Sequence, residues 1–389
     1  MKTVWEYIKT EDQQICIWRA FGTAVCLRVP EQIEGCPVTE IGPYAFSASE
    51  RPKRFAAEPE RIRRITVQDG ILDSGEMPGE AAAGERLEEV ILPDTVSVIG
   101  DYAFYGCRRL KRIGFSDTLS RIGSGAFIGC GSLDTFLFRE RKTGKNSLSQ
   151  MLSELRQAVT AEITGTVEGK ERRSCLVFPG YYEMSVENVP ARIFEVHYQG
   201  TGYRYRQCFR DGSVDYKAYD ALFGLAKNQE PHQILTRLAY CRIRYPEGLG
   251  DEARTEYLDY FSAYAREAGE ILLEKDDLEA VRLIAEAGGF DGKTRKKNWL
   301  QQDALEAEAR PAADGAGDFY MASLGETGFG IGASRSGKGK KPAEEEPRDA
   351  LDVMTELAAR LGRTECLSYL MDCRYRRQGR KKQNRQFDL

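Results

Sequence analysis

Two stretches of this 389-residue chain repeat one pattern back to back. They are residues 87–107 (LEEVILPDTVSVIGDYAFYGC) and 110–130 (LKRIGFSDTLSRIGSGAFIGC), at a constant offset of 23. Leu87 corresponds to Leu110, Val90 to Ile113, Asp94 to Asp117 and Thr95 to Thr118. Ile99 and Gly100 correspond to Ile122 and Gly123, Ala103 and Phe104 to Ala126 and Phe127, and Gly106 and Cys107 to Gly129 and Cys130. A fixed period on the order of 20–30 residues means a solenoid, in which each unit buries its apolar face only against its neighbours. Within each unit the apolar residues at the first, fourth and sixth positions point inward. The last two, Val90 and Leu92, keep the period of two that a strand requires. Gly100 and Gly123 suit a tight turn or close backbone approach. Phe104 and Phe127 are expected to stack as the large core residues of consecutive coils.

The pattern L-x-x-[VI]-x-[LF]-x-D-T-[VL]-x-x-I-G-x-x-A-F-x-G-C resembles the BspA-type leucine-rich repeat. A third copy begins as LDTFLF at 133–138, and an earlier partial copy is IRRITV at 62–67. Further upstream, IGPYAF at 41–46 echoes the segment from Ile99 to Phe104, behind the lead-in CLRVPEQIEGCPVTEIGPYAF. The resemblance covers about 15–138. It departs from the pattern at 47–86, where PKRFAAEPER and SGEMPGEAAAGE read as loop insertions. A short array needs a cap at each end, and QICIWRAF-GT-AVCLRVP is expected to form a hairpin capping the start. The resemblance implies a bacterial, non-enzymatic protein that binds another protein or serves as a scaffold.

The repeat alignment also says which strand residues face solvent. The second position of each coil reads Arg63, Glu88, Lys111, Asp134, and the third reads Arg64, Glu89, Arg112, Thr135. Opposite charges on neighbouring strands support pairing, so one reading is a self-neutralising ladder that keeps the sheet soluble. The other is a polar ligand surface flanked by Ile91 and Leu137. On that reading Glu89, Ile91, Arg112, Thr135 and Leu137 are the candidate partner-binding residues. Alternation of sign argues against a strongly charged ligand on this face.

After Phe138 the character changes. SLSQMLSELRQAV, from Ser147, places Leu148, Met151, Leu152 and Leu155 on one helical face. FPGYYEMSVENVPARI at 178–193 reads as an ordered loop. GYRYRQCF at 202–209 alternates Tyr203, Tyr205 and Phe209 against Arg204, Arg206 and Cys208. It is either an amphipathic strand with its aromatics in the core or a base-stacking strand. From Tyr216 the chain reads as helical, with candidate helices at 216–228, 231–243, 251–273, 277–287, 292–309, 349–361 and 363–378. LLEKDDLEAVRLIAEAG from Leu272 and AARLGRTECLSYLMDCR from Ala358 resemble each other and, weakly, an ankyrin helix pair. The segment at 309–348 is rich in Gly, Ala, Ser and charge and reads as a disordered insertion.

The fold class expected is therefore α+β, a short leucine-rich repeat β-solenoid followed by an α-helical solenoid-like domain. The domains would be 1–140 for the repeats with their hairpin cap, 141–215 for a connecting helix and extended segments, and 216–389 for the helical part. Composition fits a folded soluble protein, with 41% hydrophobic and 30% charged residues, and the net charge of −4 is small. No run approaches the ~18 apolar residues of a membrane span. The ten cysteines include no C-x-x-C pair. With no apolar signal segment at the start, the expected compartment is a reduced cytoplasm.

Chemistry has few footholds. GASRSGKG at 332–339 matches G-x-x-x-x-G-K but carries Gly339 where a phosphate loop needs Ser or Thr. His197 and His232 are the two histidines, and neither sits in a catalytic or metal-binding motif. No cofactor is implied. A basic run from Arg374 to Arg385 holds seven cationic side chains. Arg376, Arg377, Arg380, Lys381 and Lys382 are candidate nucleic-acid contacts. The plainer reading of that run is a solvated helix end.

Overall fold

A computed structural model describes residues 2–22, 24–68, 71–73, 86–141, 146–167, 169–188, 193–274, 277–295 and 346–387. The contacts divide the chain into two compact units, 1–258 and 259–389.

In the first unit the chain enters through an antiparallel hairpin, β1 (Lys2–Lys9) and β2 (Ile15–Gly22). The next strand, β3 (Cys26–Arg28), does not fold back on β2 but opens a second sheet. The capping hairpin therefore lies one strand earlier than expected. The reason is that β2 already has β1 on one edge and β5 (Cys36–Ile41), running parallel, on the other. A two-residue strand, β4 (Gln32–Ile33), leads tightly into β5. Part of the expected loop is ordered as two 3-10 turns, Lys53–Phe55 and Pro59–Arg61. Next, β6 (Ile62–Gln68) pairs antiparallel with β1, and β7 (Ile71–Asp73) pairs with β6. IRRITV is thus part of the N-terminal cap rather than an early coil, because the place beside the next repeat strand is taken by β3.

From there the chain alternates between the two sheets. Strands β8 (Glu89–Ile91), β10 (Arg112–Ser116) and β12 (Thr135–Glu140) run parallel in the second sheet. Strands β9 (Val98–Ile99) and β11 (Arg121–Ile122) continue the first sheet beyond β5. The register between rungs equals the repeat offset, so that Glu89 lies beside Arg112 and Ile113 beside Val90. The first half of each coil feeds the core with Val90, Leu92, Ile113 and Phe115, all buried.

The second half of each coil supplies the aromatic ladder. Phe46, Phe104 and Phe127 stack with centroids 5.0 and 5.2 Å apart and planes within 7°. Trp5 of the cap meets Phe46 edge-on at 6.3 Å, which extends the ladder past its first coil. Beside it runs a thiol ladder, in which Cys107 donates to the carbonyl of Phe46 at 3.0 Å and Cys130 to that of Phe104 at 3.2 Å. The glycines after Ile99 and Ile122 are there for room. A Cβ on Gly100 would stand 2.7 Å from Pro43 N, and one on Gly123 would stand 2.3 Å from Asp101 N.

The array runs on past the expected end at Phe138. Helix α1 (Ser147–Ser153) buries Leu148, Met151 and Leu152 at the end of the core. The fifth parallel rung is β13 (Val159–Val167), which lies beside β12, and β14 (Lys170–Phe178) then pairs antiparallel with β13 and ends the sheet. Antiparallel strands thus close the first sheet at its N-terminal end and the second at its C-terminal end.

The rest of the first unit packs on that closure. A separate two-stranded hairpin, β15 (Tyr182–Asn188) and β16 (Ile193–Gln199), occupies most of what was expected as a loop. The segment GYRYRQCF is not a strand. It begins as a short helix, α2 (Gly202–Tyr205), and Phe209 enters a minimal hairpin, β17 (Phe209–Arg210) with β18 (Ser213–Val214). Two constraints account for this. Gly202 sits so close to the Pro179 carbonyl that a Cβ would be 2.2 Å away, and Arg206 is turned inward.

The helices that follow are α3 (Tyr216–Asp220), α4 (Phe223–Ala226), α5 (His232–Arg244) and α6 (Asp251–Ala263). The Tyr219 hydroxyl accepts from Val177 N at 3.0 Å and donates to Val177 O at 2.6 Å, occupying the outer edge of β14. The first compact unit extends to 258 and includes α3 to α5.

Among its described residues the second unit holds two helix pairs, α7 (Ala265–Glu274) with α8 (Leu278–Glu286) and α9 (Ala350–Arg360) with α10 (Thr364–Phe387). Asp277 and Asp349 cap α8 and α9, accepting from Ala280 N at 2.9 Å and Leu351 N at 3.1 Å. The α7–α9 approach is close at Gly269, where a Cβ would meet the Met354 sulfur at 2.5 Å. Residues 292–295, expected as a helix start, instead pair with the chain ahead of α9. Lys293 bridges Asp349, and Thr294 N donates to Arg348 O at 2.8 Å. The insertion expected at 309–348 lies almost wholly outside the described residues, as do 296–308 and the string GASRSGKG.

Candidate functional site

The parallel rungs of the second sheet set its outward side chains in rows. One row reads Cys26, Glu89, Arg112, Thr135, Thr160 and the next reads Arg28, Ile91, Gly114, Leu137, Glu162. Between them the inward row Leu27, Val90, Ile113, Phe136, Ala161 is wholly buried. All five residues expected on the partner-binding face, Glu89, Ile91, Arg112, Thr135 and Leu137, therefore lie together on three adjacent strands. Arg63 and Arg64 do not join them, because β6 belongs to the other sheet.

The charges on this face are largely spent on one another. Glu89 pairs with Arg112 at 3.3 Å, and Glu88 pairs with Lys111 at 3.1 Å and with Arg109. Lys111 and Arg109 hold the Glu88 carboxyl below the usual carboxylate range. At the far end of the rungs Asp94 receives Arg139 Nε at 2.7 Å and Arg141 Nε at 2.7 Å, while Arg139 also donates to the Leu92 carbonyl. Burial works against the Asp94 charge, but the two arginines outweigh it and keep the group below the usual aspartate range. Between these clusters lie three apolar residues, with the Arg139 guanidinium reaching towards the middle one, Gly114. Ile91 lies over the space left by Gly114, where a Cβ would be 2.7 Å from Ile91 Cδ1, and Leu137 follows on the next strand. Ile91 and Leu137 are both half-buried. A half-exposed apolar stripe bordered by neutralised ion pairs suits contact with another protein surface better than capture of a highly charged polymer.

The basic candidates fare differently. Arg376 pairs with Asp372 one turn away, and Arg377 donates to Asp349 at 3.1 Å and to the carbonyls of Phe290 and Asp291. These two arginines are engaged within their own unit. The side chains of Arg380, Lys381 and Lys382 lie outside the described residues. Among the described residues no group of three or more His, Cys, Asp and Glu side chains could hold a metal ion, and no helix is long and apolar enough to cross a membrane.

Among the described residues two arginines are buried, Arg206, expected opposite the aromatics of GYRYRQCF, and Arg242, not singled out by any motif. Arg206 donates to the carbonyls of Leu152, Pro179, Gly202 and Gln157, and burial brings its pKa down to about 10. Arg242 forks onto Asp220 at 2.7 and 2.8 Å, with Tyr257 donating to the same carboxylate at 2.8 Å. Burial opposes the Arg242 charge, but Asp220 outweighs it and raises the pKa above the ordinary arginine value. The remaining donors of Arg242 reach the carbonyls of Tyr245 and Glu247. Both guanidiniums are engaged inside the fold and brace it. A signal for Arg242 existed, since it falls on the apolar face of α5 set by Leu235, Leu238 and Ala239.

Residues 77–163 match the BspA type leucine rich repeat region family, in six copies. Two solved structures are similar over part of their length. A leucine rich repeat protein of T. pallidum is 28% identical over 35% of this chain and 50% of that one, with a TM-score of 0.25. A leucine rich cell surface protein of Faecalibacterium prausnitzii A2-165 is 21% identical over 38% of this chain and 32% of that one, with a TM-score of 0.23. The chain thus spans half or less of these proteins. Among curated proteins none matches.

Proposed function

Starting from residues 77–163 as a BspA-type leucine-rich repeat region, we propose that the chain is a non-enzymatic protein-binding module whose partner seats on the outward face of β8, β10 and β12. One observation carries the proposal. Ile91 and Leu137 form a half-buried apolar stripe across Gly114, bordered by ion pairs that satisfy one another. Glu89 and Arg112 border the stripe on one side, and Thr135 supplies a hydroxyl there. The two helix pairs of the second unit would serve as a further interaction surface, and a solenoid-like role for them belongs to this proposal.

The test is a quantitative affinity purification with wild type and an Ile91→Asp, Arg112→Glu, Leu137→Asp variant, after both are shown to unfold at similar temperatures. Loss of a wild-type co-purifying protein, with an affinity at least tenfold lower for the variant on remeasurement with that protein purified, is the expected result. An unchanged partner set would sink the strand-face reading.

A further inference from the structure

Cys175 on β14 and Cys241 on α5 face each other with their sulfurs 2.6 Å apart, in the buried seam between the terminal strand and the helix packed on it. Both are enclosed, at 6% and 8% exposure. Other thiols of the first unit satisfy themselves on backbone, as Cys107 does on Phe46 O at 3.0 Å and Cys130 on Phe104 O at 3.2 Å. Cys130 also has the Cys107 thiol beside it but holds a carbonyl as well, whereas Cys175 donates to the Cys241 sulfur. The sulfurs are already closer than ordinary van der Waals contact, about half an ångström beyond the ~2.05 Å of a disulfide bond.

The surrounding contacts hold both elements in place. On the strand side, the Tyr219 hydroxyl is bonded to both backbone groups of Val177, two residues from Cys175. On the helix side, Arg237 donates to the Thr160 hydroxyl on β13, one turn before Cys241. Both elements are thus anchored close to the two sulfurs.

We propose that Cys175 and Cys241 are a cross-link site, forming a disulfide that fastens α5 to the last strand of the repeat sheet when the chain meets a low-molecular-weight disulfide. The step balances without a further oxidant. One cysteine thiolate attacks the reagent's disulfide and releases one small thiol. The second cysteine thiolate attacks the mixed disulfide and releases the other. Two cysteine thiols are oxidised and one small disulfide is reduced to two thiols. The Cys241 thiol and burial both hold the proton on Cys175. Exchange in the folded protein is therefore slow, and the bond forms fastest during folding or transient opening of the seam. It would link positions 66 apart in sequence and constrain the unfolded chain accordingly.

The experiment uses the full chain refolded in oxidised and reduced glutathione. Remaining thiols are blocked with iodoacetamide in denaturant, and the protein is digested without reductant for mass spectrometry. The expected result is one peptide pair joined through Cys175 and Cys241, absent in a Cys241→Ser variant, with an unfolding temperature several degrees above that of the dithiothreitol-treated protein. Alkylation of both cysteines, a stable glutathione adduct on either, or linkage of Cys175 to another cysteine would overturn the proposal. A cross-link that leaves the unfolding temperature unchanged would overturn its role as a fastener.

Discussion

At the scale of single residues, Asp94 shows how one side chain ties rungs that are not adjacent. It follows β8, yet its carboxylate receives Arg139 from β12 and Arg141 just beyond, so the pair reaches across β10. Its depressed pKa means the folded state favours the charged form. That stabilisation is complete above the ordinary aspartate value of about 3.9 and is lost as pH falls through the lower folded value. Asp94→Asn is expected to cost roughly 1–2 kcal/mol near neutral pH. The difference from wild type should shrink towards zero in acid, read from urea unfolding at several pH values. The 23-residue alignment placed Glu89, Arg112 and Thr135 in one row because an inter-rung register of one repeat is the only way such coils stack. It misplaced Arg63 and Arg64 because IRRITV has the same alternation whether it pairs parallel or antiparallel, and nothing in its side chains encodes the partner.

At the scale of elements, the array is held by ladders along its length and by different devices at its ends. Phe104 lies between Phe46 and Phe127 and touches both coils through flat ring faces. Phe104→Ala is expected to destabilise by about 3–5 kcal/mol, enough to lower the unfolding temperature of the first unit by many degrees in calorimetry. The C-terminal closure depends on Tyr219, whose hydroxyl serves both backbone groups of Val177 from a fully buried position. Tyr219→Phe leaves those two groups unsatisfied and should cost roughly 1–3 kcal/mol, with hydrogen exchange rising at the Val177 amide. Repeats were legible and closures were not, for a common reason. A repeat announces itself by self-similarity, whereas a cap is unique by construction. Thus β13 went unrecognised as a fifth rung because its preceding coil is replaced by α1, and α2 was hidden because GYRYRQCF alternates like a strand until Arg206 finds four carbonyls inside.

At the scale of the molecule, the chain has two compact units, and the second contains a meeting point of distant sequence. Lys293 bridges Asp349, and Thr294 bonds Arg348 through both backbone and hydroxyl, so the flanks of 296–345 are already side by side. Replacing 296–345 by a short Gly-Ser linker should leave the unfolding temperature within a few degrees of wild type, since closing a gap between adjacent ends costs little. A large fall would show that this stretch contributes to the core.

The unlike ends of the solenoid also bear on how such a chain can lengthen. Antiparallel β1 and β6 seal one sheet at the start, and antiparallel β14 seals the other at the finish. A duplicated coil appended outside either seal would find the edge of only one sheet, β3 at the start or β11 at the finish. One spliced between β8 and β12 would meet the same backbone spacing, phenylalanine face and thiol acceptor above and below it. An added coil is therefore accommodated most simply in the interior, where both closures are left as they are.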